Sequence, residues 1–171
     1  MNRQLPRTLG VDSGFAEYGE QLAALQDRLN NEAFAFFSEA DVHDGELLEL
    51  RLIDGIRPAP LSDPARVWKA TRNYRVKAEQ SVLDAMDQFV WQLSYQRMRR
   101  ARIDFPGEEG LRYQAGEGFG DWGYHELTDA GDGFLRHEVL FRTGATLTIE
   151  FREITVTKRS ARATAASKVR G

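Results

Sequence analysis

Apolar and polar residues alternate most regularly in the last third of the chain. Leu135, His137, Val139 and Phe141 alternate with Arg136, Glu138, Leu140 and Arg142, and Leu147, Ile149 and Phe151 with Thr146, Thr148, Glu150 and Arg152. A period of two sends successive side chains to opposite faces of a strand. Residues 122–128, 134–142 and 146–157 therefore predict an antiparallel meander, broken at DAGDG and at Thr143-Gly144. After Phe151 the phase slips, so that Ile154 and Val156 carry the apolar face. A slip of one residue would turn those side chains away from the core, which predicts a β-bulge near Arg152-Glu153. The same phase puts His137 inward.

The first half mixes periods. Tyr18, Leu22, Leu25 and Leu29 recur at helical spacing and predict a helix over 14–31, with Ser13 as N-cap and Asn30-Asn31 as stop. Residues 34–42 and 46–53 flank His43-Asp44-Gly45, which reads as a hairpin on an Asp-Gly turn. The proline-rich run 53–65 is a loop. Trp68, Ala70, Tyr74, Val76 and Ala78 share one face of a predicted strand, with Arg72 the exception on that face. Val82, Met86, Phe89 and Leu93 then follow the helical repeat and predict a second helix, over 82–98, capped by Ser81. A short strand over 101–105 follows, then a glycine-rich stretch from Gly107 to Gly123 with another short strand near 111–114. The expected class is α+β: an antiparallel sheet, made of an N-terminal hairpin and a C-terminal three-stranded meander, packed with two helices.

Composition narrows the field. A chain of 171 residues with 42% hydrophobic and 29% charged residues suits one globular domain, here 1–157, with 158–171 as a basic, flexible tail. The tail carries Lys158, Arg159, Arg162, Lys168 and Arg170 and no acid, which leaves residues 1–157 at a net −8. There is no cysteine, hence no disulfide and no thiolate chemistry. No apolar run is long enough to cross a bilayer, and the opening MNRQLPRTLG lacks a signal-peptide core. The expectation is a cytoplasmic protein.

Candidate chemistry is sparse. His43, His125 and His137 each have acids nearby, yet none shows metal-ligand spacing, so no metal and no cofactor is expected. Gly118, Gly120 and Gly123 satisfy G-x-G-x-x-G without the strand and helix that give it meaning, beside Glu117 and Asp121, which would repel a pyrophosphate. No nucleophile motif is present, so no catalytic residue is assigned. The basic run Arg97–Arg102 and the tail could meet phosphates, but an acidic body disfavours nucleic acid.

The layout GYHEL followed by FLRHEVLFRTGATLTIEF resembles small bacterial α+β proteins of unknown function, some of which serve as immunity proteins beside secreted toxins. That resemblance transfers no site residue; the absence of catalytic motifs, the acidic body and the aromatic loop lead to the expectation of a non-catalytic protein that binds a partner, such as an immunity-type inhibitor of a basic toxin. From the residues themselves, the aromatic loop with Phe119, Asp121, Trp122 and Tyr124 is the candidate partner surface. The alternative is a ligand-binding or enzymatic domain with a pocket between sheet and helix, lined by Tyr74, Tyr124 and His137. Homodimerisation through a strand edge is compatible with both.

Overall fold

The computed structural model describes residues 11–54, 76–106 and 119–161, with side chains from residue 18 onward. Two helices, α1 (Val11–Ala24) and α2 (Asn31–Glu39), precede eight strands. These are β1 (Gly45–Asp54), β2 (Val76–Leu83), β3 (Phe89–Gln96), β4 (Arg100–Asp104), β5 (Asp121–Gly131), β6 (Phe134–Phe141), β7 (Thr146–Phe151) and β8 (Glu153–Ser160). All pairings are antiparallel, in the order β4-β7-β6-β5-β1-β2-β3-β8. The α+β class and the antiparallel sheet stand. The division into a hairpin and a separate three-stranded meander does not, because one eight-stranded sheet contains both.

The sheet bends back on itself. β3 leads into β4 and β7 into β8, and the β3–β8 ladder continues into the β4–β7 ladder across a corner. Two backbone bonds bridge the corner: Arg99 N–H donates to Glu150 O at 2.9 Å, and Arg152 N–H to Gln96 O at 3.3 Å. Arg97, with φ 54°, absorbs the bend. The result is a closed barrel of two half-sheets, β1-β2-β3-β8 and β5-β6-β7-β4, joined at this corner and at the short β1–β5 pairing. Among the described residues, β4 and β8 each keep one unpaired edge, and β5 pairs with β1 only at Asp121 and Trp122. The expected phase slip is present at Arg152, and its consequence exceeds a bulge: the strand changes partner there, from β4 to β3.

The interior is packed. Leu127, Leu135, Val139, Leu147, Ile149 and Phe151 from one half-sheet meet Ala78, Val82, Leu93, Ile154 and Val156 from the other. Phe36 and Phe37 of α2 plug one end, Phe36 lying edge-on to Trp91 at 5.4 Å.

Three expectations are corrected. Residues 34–42 are not a strand: Ala33, Phe36 and Phe37 bury one helical face, and the Asn30 side chain caps α2 by accepting from Ala33 N–H at 2.8 Å. Asn30 thus ends one helical stretch by starting the next, and His43-Asp44-Gly45 turns from helix into β1. Gly45 is required there, because a Cβ would collide with the carbonyl oxygens of Leu83 and Val42. The predicted helix over 82–98 is instead the end of β2, a turn and β3. Asp84 makes that turn, its carboxylate accepting from the N–H groups of Gln88 (2.8 Å) and Phe89 (3.2 Å). The strand expected over 68–78 is described only from Val76, where it runs on into β2. Tyr74, the loop 55–65 and the strand near 111–114 lie outside the described residues. Residues 158–160 of the basic tail belong to β8 and pair with β3.

Candidate functional site

β5 is the strand on which the site is built. Beyond Trp122 its free edge faces α1, and Tyr18 Oη accepts the Leu127 N–H at 3.3 Å where a neighbouring strand would otherwise stand. Burial raises the Tyr18 pKa, against the lowering effect of that backbone hydrogen bond. The helices seal the seam incompletely. A crevice of about 630 Å³ runs between them and β5, walled by Leu22, Phe37, Val42 and His43. A second cavity, of about 750 Å³, opens on the outward face of β5-β6-β7-β4. Tyr18, Tyr124 and His125 line both.

The outward face is polar by register. Glu126, Glu138, Thr148 and Arg102 form one row across the four strands, and Tyr124, Leu140, Thr146 and Asp104 the next. In the row beyond, Arg136 Nη2 and Arg99 Nε hold the buried Glu150 carboxylate at 2.8 and 2.6 Å, with Arg100 at 3.5 Å. Burial opposes the charge on Glu150, but the hydrogen bonds from Arg99 and Arg136 outweigh it and bring its pKa below the usual value.

From the shared wall a chain of polar side chains runs into the core. His125 Nδ1 lies 3.1 Å from His137 Nε2, His137 Nδ1 lies 2.7 Å from Tyr95 Oη, and that hydroxyl donates to Gln80 Oε1 at 2.8 Å. Tyr95, His137 and Gln80 are buried, and His125 is half-buried between Phe36, Phe37 and Trp122. Burial pushes the His125 pKa down to about 4. Burial, then the neighbouring His125 charge, holds His137 well below the imidazole range, and burial lifts Tyr95 well above the phenol range. All three groups are therefore neutral at pH 7. Gln80 Nε2 and Trp122 Nε1 are buried without a hydrogen-bond partner among the described residues. Such groups cost stability and call for a reason.

The residues named from the sequence are dispersed. Tyr124 is exposed on the outward face, its ring edge-on to His43 at 5.2 Å. Trp122 is fully buried. Phe119 packs on Phe141 (4.8 Å) and Phe105 (5.4 Å), and Asp121 pairs with Arg142 at 2.9 Å. His137 is inward as expected, one step behind the cavity wall through His125. Sequence reasoning missed Gln80, Tyr95, Tyr18 and the His125–His137 contact. His125 and His137 sit twelve positions apart on neighbouring strands, and only the β5–β6 register, offset by a bulge between Trp122 and Tyr124, brings them together. Among the described residues no three His, Cys, Asp or Glu side chains cluster as a metal would require, and no helix is long and apolar enough to cross a membrane.

Comparisons with family models, with curated proteins and with solved structures return no match.

Proposed function

We propose that the protein binds a small organic ligand in the crevice between α1 and β5. One observation carries this reading: two cavities share the wall formed by Tyr18, Tyr124 and His125, where the buried polar chain ends. A packed barrel gains nothing in stability from histidine, tyrosine and glutamine at positions that leucine and phenylalanine would fill, since each polar group must be desolvated and satisfied. Perturbed, buried titratable groups behind a cavity wall are typical of binding and catalytic sites. The test is a fragment screen followed by backbone amide shifts. Shifts clustered on Gly19, Gly123, Tyr124 and His125 are expected; binding confined to other surfaces would overturn the reading.

A partner-binding role, including the inhibition of a basic toxin, is the second reading. It is supported by the cross-strand pair Tyr124 and Leu140, both exposed large apolar side chains on the outward face. Replacing both by serine should abolish capture of a protein partner from the native host while leaving the melting temperature near wild type. Undiminished capture would remove this surface from consideration.

A further inference from the structure

The hydrogen-bond chain has a direction, and the direction sets what the crevice can recognise. Tyr95 spends its one proton on Gln80 Oε1, so its oxygen can only accept from His137. His137 is neutral and must then carry its proton on Nδ1, which leaves Nε2 as an acceptor for the Nδ1–H of His125. His125 is left with a bare lone pair on Nε2. No described residue bonds that nitrogen, and His125 lines both cavities.

The surroundings restrict the ligand further. The crevice is walled by flat or aliphatic side chains, among them Tyr18, Leu22, Phe37, Val42 and Tyr124. Among its described lining residues Asp41 is the only carboxylate, and none is a lysine or arginine. Flat apolar walls beside an unpaired imidazole acceptor suit an uncharged planar ring bearing a donor. We infer that the crevice takes an uncharged aromatic or heteroaromatic molecule whose hydroxyl or ring N–H donates to His125 Nε2. This deepens the ligand-binding reading and rests on it.

Two measurements test the inference. The first needs no ligand: ¹⁵N imidazole spectra of the full chain should show both His125 and His137 protonated on Nδ1. A proton on His125 Nε2 would reverse the chain and overturn the inference whatever binds. The second compares 2-naphthol with 2-methoxynaphthalene, and indole with 1-methylindole, with amide shifts locating each probe. The donors should bind about tenfold more tightly than their methylated partners, as one hydrogen bond to an otherwise unpaired acceptor would give. Equal affinities within the crevice would overturn the inference but leave the ligand-binding reading intact. So would other fragments binding there while these four do not. No fragment of any class in the crevice would overturn both.

Discussion

The Tyr95 hydroxyl and His137 Nδ1 lie 2.7 Å apart across the barrel, joining β3 of one half-sheet to β6 of the other with both side chains shut off from solvent. Each group answers the other's hydrogen-bonding need, so removing one should cost more than removing all. Tyr95→Phe strands the His137 Nδ1–H and the Gln80 carbonyl and should destabilise the fold by about 1–3 kcal/mol. Combining Gln80→Leu, Tyr95→Phe and His137→Leu should recover most of that loss. Urea unfolding of both variants and the wild type checks the comparison. A triple variant weaker than Tyr95→Phe would show that the chain is a net stabiliser.

The two histidines also set a pH dependence. Both have folded-state pKa values below the ordinary 6.5, His125 near 4 and His137 well depressed. Below about pH 6.5 the unfolded chain takes up protons on them that the folded chain refuses, so unfolding becomes easier as pH falls. Each fully coupled histidine contributes a slope of about 1.4 kcal/mol per pH unit. The carboxylates of Glu150 and Asp129 are also depressed, but from values of 4.5 and 3.8, so their contribution fades only in more acid solution. The interval from about pH 6.5 to 5 therefore isolates the histidines. Urea midpoints should fall through it in the wild type and fall less steeply in His137→Leu; parallel curves would exclude His137 as a source.

How much was legible in the sequence differs by region, for physical reasons. Strands β6 and β7 were readable because one face meets the core and the other solvent, so period two survives in the residues. The helical reading of residues 82–98 failed because Val82, Met86, Phe89 and Leu93 happen to fall at helical spacing across two strands and a turn. Val82 and Leu93 are buried on the inward face, whereas Met86 is exposed in the turn. The deciding residue was Asp84, whose turn-making role is a short-range hydrogen-bond pattern that apolar periodicity does not register. The candidate site was less legible still. Gln80 and Tyr95 are a cross-sheet match for His137 that no local pattern encodes, and Tyr18 reads as an ordinary helical core position until β5 lies beside it.

Asp84→Ala removes the acceptor for two backbone N–H groups and should cost about 1–2 kcal/mol, with Asp84→Asn retaining part of the loss-free behaviour because its carbonyl can still accept. Chemical denaturation of the two variants decides it, and equal stabilities for Asp84→Ala and the wild type would mean the turn is held by its strands alone.

Barrel closure rests on the corner where Glu150 acts twice. Its backbone carbonyl accepts Arg99 N–H, and its carboxylate takes Arg99 Nε and Arg136 Nη2 on the outward face. The Arg99 and Arg152 guanidinium groups both lie over the Phe134 ring, at 4.4 and 4.5 Å, so one ring braces both sides of the corner. Glu150→Gln keeps the shape but leaves two arginines facing a neutral amide, and the half-exposed setting of those arginines limits the cost to about 1–3 kcal/mol. The effect should be local before it is global. Hydrogen exchange at the amides of Arg99 and Arg152, which bridge the corner, should accelerate more than exchange at Leu93 or Val139 in the barrel wall. Uniform acceleration across these sites would mean that the corner opens only when the whole barrel unfolds, and that the Glu150 cluster stabilises the fold without specifically closing it.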